Sequence, residues 1–362
     1  MIVFKRKNCV SLILAASITL FMSPAAFSNT SVSNKSNTQK QSSTSAKKVS
    51  KSSTSKKEVT SKSSAKVIKT SVRSKASAKP KARSKVKPVV ARQSIRSNMV
   101  TAQPTMAHMA GLHNVADPLN LKSSAVLVAD ADTKELLYSK NPHAVLPIAS
   151  ITKLMTVVVS LEANLDLEEK VEITHEDMDS IKGTGSRLAP GSIFTRRELM
   201  HLALMASENR AASALGRSYP GGMQACAKAM NEKARKLGMY SSNFVETTGL
   251  SASNQSSATD LAMLVMHANK FPLIRDYSTS PSYQVESLRG RELMFRNTNA
   301  LIKQDHWDIQ VQKTGFINEA GRCLVMQAKV GTRNLVIVLL DSVSKASRFS
   351  DAERIRNFVI QQ

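Results

Sequence analysis

The stretch PIASITKLMT at residues 147–156 places a hydroxyl at Ser150 and an amine at Lys153, where a helix is expected to begin. The spacing of the apolar side chains predicts this helix over about 150–163, with a stripe formed by Leu154, Met155, Val158 and Leu161. Residues three apart share one helix face, so the hydroxyl and the amine would be neighbours. Ser-x-x-Lys also recurs by composition alone before residue 70, so only the surrounding chain can identify a site.

The elements around this stretch predict a sheet built from both ends of the domain, with a helical lobe inserted between them. Two runs in SAVLVADADTKELLYSKN (124–141) predict a β-hairpin. Helices are predicted across TRRELMHLALMAS (195–207), GMQACAKAMNEKARKLG (222–238, capped by Gly238), TDLAMLVMHANK (259–270, opened by Thr259 and Asp260) and SDAERIRNFVI (350–360). Strands are predicted at DIQVQKTG (308–315), RCLVMQAKV (322–330) and NLVIVLLD (334–341).

The N-terminus has the pattern of a secretory signal peptide. Basic residues at 5–7 precede the apolar run CVSLILAASITLFM, and the small-residue stretch SPAAFS follows. Residues 1–28 are therefore predicted to direct export of the chain to the periplasm and to be removed by cleavage after Ser28. The alternative, a retained membrane anchor, is disfavoured because the apolar run is short for a span.

The basic charge of the chain is concentrated in one segment. Residues 29–100 contain 19 of the 51 Lys and Arg residues and a single acid, Glu58, whereas the formal net charge of the whole chain is +24. Large apolar residues are scarce there, so residues 29–105 are predicted to be a disordered basic linker. Export excludes nucleic acid as a partner. The linker is either a solvated spacer or an electrostatic contact with an anionic cell wall or membrane surface.

Two further short strings supply polar side chains to the folded part: SEN at 207–209 and KTG at 313–315. Each is weak alone, since Ser-x-Asn after a helix is usually a cap or turn and Lys-Thr-Gly after a strand usually enters a turn. Their joint occurrence, in this order after Ser150 and Lys153, is much harder to obtain by chance. The three motifs together predict one site.

With these motifs, the chain resembles the low-molecular-mass penicillin-binding proteins, the serine D-alanyl-D-alanine peptidases that share the fold of class A β-lactamases. The likeness covers about residues 108–362, within a catalytic domain predicted over 106–362. It extends to LPIASITKLMT, LALMASENRAA, YPGG, FVETTGLS, FRNTN, QKTGF and GRCLVM. It implies a mixed α/β catalytic domain. An antiparallel sheet flanked by helices would stand beside an all-helical lobe, with the active site in the cleft between them.

The side chains of the motifs suit acyl transfer. A serine hydroxyl is a weak nucleophile that needs a base within hydrogen-bond reach, and Lys153 can serve only when neutral. Burial and a second cation, Lys313, are both expected to lower the pKa of Lys153. Ser207 is expected to pass a proton to the departing amine, and Asn209 to hold Lys153 and a substrate amide.

The resemblance adds two further expectations for the site. The backbone N–H groups of Ser150 and Phe316 would form the oxyanion hole. Lys313, Thr314 and Gly315 would join Asn209 and Phe316 in binding the substrate. No metal and no cofactor is expected.

The substrate expected from the resemblance is the peptidoglycan stem peptide, with β-lactams as covalent inhibitors. QKTGF and FRNTN resemble the endopeptidase branch, so cleavage of D-alanyl to diaminopimelyl cross-links is predicted; a D-Ala-D-Ala carboxypeptidase is the alternative. Both reactions begin with the same attack by Ser150, so the motifs alone do not separate them.

Other functions are less well supported by the sequence. A class A β-lactamase would need Glu-x-x-Leu-Asn after the second motif, whereas Glu246 is followed by TTGL. A purely binding or β-lactam-sensing domain would not need both a nucleophile and a base. HEDMD at 175–179 has Asp179 where a zinc peptidase needs histidine. Whether Cys226 and Cys323 form a disulfide is left open.

Overall fold

A computed structural model describes residues 5–6, 104–288 and 290–362. The predicted signal peptide and the predicted linker lie almost wholly outside these residues. Within the part of the chain that is described, no helix has both the length and the apolar character needed to cross a bilayer.

The strands form one six-stranded sheet and three two-stranded sheets. In chain order they are β1 (Lys5–Arg6), β2 (Ser123–Asp130), β3 (Glu135–Lys140), β4 (Leu146–Pro147), β5 (Lys170–Glu172), β6 (Ile193–Thr195), β7 (Gln255–Ser256), β8 (Ser282–Glu286), β9 (Glu292–Arg296), β10 (Asp308–Ile317), β11 (Gly321–Val330) and β12 (Arg333–Ser342).

The helices are α1 (Met106–Met109), α2 (Thr152–Glu162), α3 (Arg196–Met205), α4 (Asn209–Arg217), α5 (Gly222–Lys236), α6 (Ala258–Ala268), α7 (Pro272–Thr279) and α8 (Lys345–Ile360). Short 3₁₀ turns lie at Leu112–Asn114, Ala149–Ile151, His175–Asp177 and Ala300–Lys303.

The large sheet joins the two ends of the domain, as the sequence predicts. Its strand order is β1-β3-β2-β12-β11-β10, so the early hairpin of β2 and β3 lies beside the late strands β10 to β12. All neighbours are antiparallel except β1, which pairs parallel with β3. The pairing of β1 with β3 involves Lys5 and Arg6, which the predicted cleavage after Ser28 would remove from the mature chain. Along the chain, helices α2 to α7 come after strands β2 and β3 and before strands β10 to β12 of this sheet.

Both faces of the large sheet are covered, which explains the continuous apolar run LVIVLL in β12. Alternate residues of a strand point to opposite faces. One set packs toward the helical lobe: Val336, Val338 and Leu340. The other set packs on the same side as Ala352, Ile355 and Val359 of α8: Leu335, Ile337 and Leu339.

Helix α2 lies at the centre of the domain and is buried along nearly its whole length, from Thr152 to Ser160. It packs against α3, α4, α5 and α6, and the 3₁₀ turn that precedes it packs against β10. A helix buried on all sides has neighbours that fix its axis. The residues at its start are therefore held between the helical lobe and the sheet.

Three sequence-predicted boundaries differ from the structure. Ser150 lies in a 3₁₀ turn before α2 rather than in the α-helix itself, and Ala149, the first residue of this turn, has a positive φ of 48°. The KTG motif lies inside β10, which continues to Ile317, rather than at the strand end. Helix α8 begins at Lys345, where the side chain of Ser344 accepts a hydrogen bond from the backbone N–H of Ser347.

The predicted end of α5 is correct, whereas the predicted start of α6 is not. Gly238 follows the end of α5 with a φ of 80°, as the predicted left-handed cap requires. The predicted opening of α6 by Thr259 and Asp260 is wrong by two residues, since Ser257 provides the cap and its side chain accepts from the Asp260 N–H. Helix α7 and the hairpin of β8 and β9 were not predicted, because their short runs carry little periodic signal.

A tight turn at Gly249 fits against the start of α2. Gly249 has a φ of 79°, and a Cβ atom placed there would lie 1.9 Å from the carbonyl oxygen of Ala149. Gly331 also has a positive φ, of 60°, but a Cβ atom there would meet nothing within 4 Å. The two glycines therefore differ in steric crowding while sharing a left-handed backbone.

We predict that Gly249→Ala destabilises the protein far more than Gly331→Ala does. The Gly331 variant should lose roughly 1 kcal/mol from the left-handed backbone alone. The Gly249 variant should lose at least about 2 kcal/mol more, because the turn must move away from Ala149. Urea denaturation of the two variants and the wild type measures the difference, and equal losses would contradict the steric argument.

Candidate active site

The amine of Lys153 is the centre of the site. Its side chain is 0 % exposed, and its Nζ donates to Ser150 Oγ at 2.8 Å, to Asn209 Oδ1 at 2.8 Å and to the carbonyl oxygen of Thr248 at 2.5 Å. Three donors thus meet three acceptors, which is the full capacity of a lysine ammonium. The first two motifs of the sequence meet at this nitrogen.

Ser150 is held at the floor of the cleft by the strand that carries the third motif. Ala149 takes a left-handed conformation, and the 3₁₀ turn it opens presents the half-buried Ser150. Gly315 lies against this turn, since a Cβ atom at residue 315 would be 2.9 Å from the Ile148 oxygen and 3.2 Å from the Ser150 nitrogen. A glycine is thus required for β10 to approach Ser150 this closely.

The second and third motifs meet through Ser207. Between α3 and α4, Ser207 has a φ of 60°, which is uncommon for a residue with a side chain and marks a constrained turn. Its Oγ accepts a hydrogen bond of 2.8 Å from Nζ of the fully buried Lys313, which also donates to the carbonyl oxygen of Thr314 at 2.9 Å.

Asn209 has one amide orientation in this arrangement. Its Oδ1 accepts from Lys153, and its Nδ2 donates to Thr184 Oγ1 at 2.8 Å. Thr184 Oγ1 in turn donates to Asp179 at 2.6 Å, and the same carboxylate accepts from the backbone N–H groups of Ile181, Lys182 and Thr184. Asp179, the last residue of the HEDMD stretch that was compared with a zinc-peptidase motif, therefore organises the loop beside the site.

Burial lowers the pKa of Lys153 to about 8, because desolvation disfavours the charged amine. The carboxylates of Glu246, Glu208 and Asp179 act in the opposite direction and favour the charged form. The second cation that the sequence led us to expect, Lys313, is not a main cause of this lowering. At neutral pH a pKa of about 8 leaves roughly one amine in ten neutral.

The pKa of Lys313 is also lowered well below the ordinary lysine value. Burial is again the largest cause, followed by the positive charges of Lys153 and Arg348. The positive charge of Lys153 thus contributes to the lowered pKa of Lys313.

Glu246 does not fit the β-lactamase string Glu-x-x-Leu-Asn, but in the structure its carboxylate holds a turn beside the site. Its carboxylate accepts from the Thr248 N–H at 2.5 Å, from the Gly249 N–H at 2.7 Å and from Asn254 Nδ2 at 2.7 Å. These bonds shape the turn that places the Thr248 carbonyl on Lys153. The string FVETTGLS contained these residues, but nothing in its pattern indicated that a backbone carbonyl would reach the site.

A cleft of about 520 Å³ opens above Ser150, and all three motifs contribute to its walls. Sequence reasoning missed several residues that line it, including Thr184, Thr298 and Arg348. The hydroxyls of Thr298 and Thr314 lie 2.7 Å apart, and the buried Arg348 donates to the carbonyl oxygen of Cys323 at 2.7 Å. Phe316, by contrast, was predicted, and its side chain is 47 % exposed in the cleft.

The geometry answers the question of the two cysteines, which the sequence left open. Cys226 and Cys323 are both buried free thiols, and burial raises the pKa of each to about 12. In HEDMD, Asp177 is buried and forms an ion pair of 2.9 Å with Arg217. No group of three or more His, Cys, Asp or Glu residues able to hold a metal ion occurs in the described ranges 104–288 and 290–362.

A Ser-x-x-Lys pair, a Ser-x-Asn turn and a Lys-Thr-Gly strand that meet in one cleft define the class of serine-type penicillin-binding peptidases. Residues 112–344 match the peptidase S11 family of D-alanyl-D-alanine carboxypeptidases, and the chain belongs to this family. The resemblance inferred from the motifs and the mixed α/β fold are thereby confirmed.

Individual relatives agree with this assignment. The D-alanyl-D-alanine endopeptidase of Pseudomonas aeruginosa is 46% identical over 240 residues, which cover 66% of this chain and 77% of the relative. The endopeptidase of Escherichia coli is 41% identical over 259 residues, covering 71% and 83%. The crystal structure of the Streptomyces K15 DD-transpeptidase superposes with a TM-score of 0.63 at 27% identity, over 68% of this chain and 100% of that one.

Proposed function

We propose that this protein is an exported serine peptidase that hydrolyses D-alanyl to diaminopimelyl cross-links of peptidoglycan through an acyl-enzyme on Ser150. The observation that carries the proposal is the contact of 2.8 Å between Ser150 Oγ and the buried Nζ of Lys153. A nucleophile and a base in contact, at the floor of a cleft, are the requirement for acyl transfer.

Lys153 is suited to act as the general base because its other partners can only accept hydrogen bonds. When the amine loses a proton, two N–H bonds remain, and the Oδ1 of Asn209 and the carbonyl of Thr248 engage both of them. The lone pair then points to Ser150. The Ser150 hydroxyl proton moves to Nζ as Oγ attacks the carbonyl carbon of the penultimate D-alanine.

Ser207 and Lys313 are placed to complete the first half of the reaction. The bond between the carbonyl carbon and the leaving nitrogen breaks as the Ser207 hydroxyl gives its proton to that nitrogen. Lys313 donates to Ser207 Oγ at 2.8 Å and can replace the proton. Lys153 then gives the proton it took from Ser150 to solvent, and Lys313 regains one from solvent. Water attacks the ester carbonyl and gives a proton to the neutral Lys153, which passes it to Ser150 Oγ as the ester bond breaks.

The proposed oxyanion hole consists of the backbone N–H groups of Ser150 and Phe316. The close approach of Gly315 to the Ser150 nitrogen supports it, since β10 then lies beside the attacked carbonyl. Thr314, whose hydroxyl contacts Thr298 in the same cleft, is proposed to bind the substrate together with Asn209. Donors fixed before the reaction stabilise the developing charge without reorganisation.

The endopeptidase assignment rests on the relatives. Those of Pseudomonas aeruginosa, Escherichia coli and Haemophilus influenzae are named D-alanyl-D-alanine endopeptidase and are 38% to 46% identical, whereas the Bacillus subtilis carboxypeptidase is 30% identical. Carboxypeptidase activity on terminal D-alanine is the second candidate, because the same acyl-enzyme serves both reactions.

β-Lactams are proposed to acylate Ser150, and the resulting acyl-enzyme is proposed to hydrolyse slowly. A β-lactamase needs a carboxylate that activates the deacylating water, and both oxygens of Glu246 are already bonded to its own turn. This arrangement favours inhibition by penicillin over its hydrolysis.

Export to the periplasm is proposed from the predicted signal peptide over residues 1–28. The excess of basic residues between 29 and 100 supports a salt-dependent contact of the predicted linker with the anionic cell wall or membrane surface. This contact would act on location rather than on the chemistry.

We predict that fluorescent penicillin labels the wild type and that mass spectrometry places the adduct on Ser150. Ser150→Ala removes the attacking oxygen and should abolish labelling, and Lys153→Ala should lose it nearly as completely, since nucleophile and base act as a unit. Ser160→Ala, a buried serine on the same helix, serves as the control and should still be labelled. Stoichiometric labelling of the Ser150 variant would contradict the assignment.

We further predict that the purified protein converts cross-linked muropeptide dimers to monomers and releases D-alanine from pentapeptides only slowly. Mass analysis of the products of each substrate gives the two rates, with Ser150→Ala as the blank. Unchanged dimers, together with steady loss of D-alanine from pentapeptides, would replace the endopeptidase with the carboxypeptidase and keep the serine mechanism.

A further inference from the structure

The walls of the cleft carry an unbalanced positive charge. Besides the buried lysines of the motifs, four basic residues line it: Lys182, Arg322, Lys345 and Arg348. None of the described residues that line the cleft is acidic. An electropositive cleft favours a substrate that brings its own carboxylates.

Two of these four cations already have partners. Lys182 forms an ion pair of 2.5 Å with Glu319, in the turn between β10 and β11. The guanidinium of Arg348 is buried and donates to the carbonyl oxygens of Cys323 at 2.7 Å and Gly315 at 3.4 Å. Lys182 is therefore not free to take a new anion without giving up its ion pair, and the Arg348 guanidinium is held by two backbone carbonyls.

Arg322 is held in the cleft but has no anionic partner. It lies opposite Phe316 in the register of β11 and β10, and its guanidinium carbon is 3.7 Å from the centre of the Phe316 ring. No hydrogen bond or ion pair joins its side chain to another residue in the described part of the chain. Stacking fixes the plane of the guanidinium and leaves its N–H edge available for a carboxylate.

Lys345 is the other of the four cleft cations whose side chain has no hydrogen bond or ion pair in the described part of the chain, and it is less suited to recognition. Its side chain is exposed at the first turn of α8, and no ring or hydrogen bond fixes it. It therefore provides a control of equal charge on the same cleft.

The position of Arg322 on β11, opposite Phe316 of β10, indicates which part of the substrate it meets. Lys313 and Ser207 lie beside the leaving nitrogen in the proposed mechanism, and Phe316 lies at the attacked carbonyl. Residues further along the strand, Ile317 and Asn318, also line the cleft. Arg322, opposite Phe316, is therefore on the side of the acyl group, away from the leaving group.

We infer that Arg322, stacked on Phe316, is a specificity-determining residue that binds the side-chain carboxylate of the diamino acid next to the acyl D-alanine. This inference rests on the proposed function. Diaminopimelate carries this carboxylate and lysine does not, so the contact selects stem peptides of the diaminopimelate type. A planar guanidinium can meet a carboxylate with two parallel hydrogen bonds.

Two substrates that differ by one charge test the inference: a cross-linked dimer whose donor diaminopimelate has a free side-chain carboxylate, and the same dimer with that carboxylate amidated. The wild type should prefer the free acid by roughly 10-fold in kcat/KM. Arg322→Gln should lower kcat/KM for the acid by about that factor and for the amide by less than about twofold. Arg322→Lys, which keeps the charge and loses the planar fork, should fall between.

Lys345→Gln is the matched control and should keep the wild-type preference for the acid. If Arg322→Gln also keeps that preference, or if both substrates fall equally, the inference is wrong. Should the wild type cleave neither dimer, the endopeptidase proposal fails. The acid and amide forms of the pentapeptide then test Arg322 in the same way, because they deliver the same acyl group.

Discussion

The burial of one amine, that of Lys153, is the constraint on which the rest of the site depends. An ammonium out of water needs an acceptor for each proton, and the fold supplies these from the 3₁₀ turn before α2, from α4 and from the turn after Glu246. Two of the acceptors, an amide oxygen and a backbone carbonyl, cannot donate. When a proton leaves, the lone pair has only one direction, toward Ser150. Burial thus lowers the pKa and aims the base.

Local strain and close contact surround this amine. Ala149 and Ser207 both hold left-handed backbone conformations; Ala149 directly precedes Ser150, and Ser207 is itself a motif residue. Gly249 and Gly315 allow backbone segments to approach the start of α2 where a Cβ atom would collide. The buried helix α2 and the large sheet hold these strained segments in place. The stability of the core therefore maintains the geometry of the cleft.

The sequence predicted much of this arrangement because chemical motifs and apolar periodicity are local signals. Ser150, Lys153, Ser207, Asn209 and Lys313 were all expected and all meet in the structure. The Thr248 carbonyl was not expected, since a backbone oxygen leaves no trace in a residue pattern.

Arg322 was likewise missed, because its contact with Phe316 depends on the register of two strands. Burial was expected to lower the pKa of Lys153 and does so, whereas Lys313, which was expected to lower it as well, is not among the main causes. The pH dependence of Ser150 acylation by penicillin tests the account most directly. Only neutral Lys153 can accept the proton, so the acylation rate should rise about tenfold per pH unit below about 8 and level off above it. A rate that is flat from pH 6 to 9, or that falls as pH rises, would contradict Lys153 as the base.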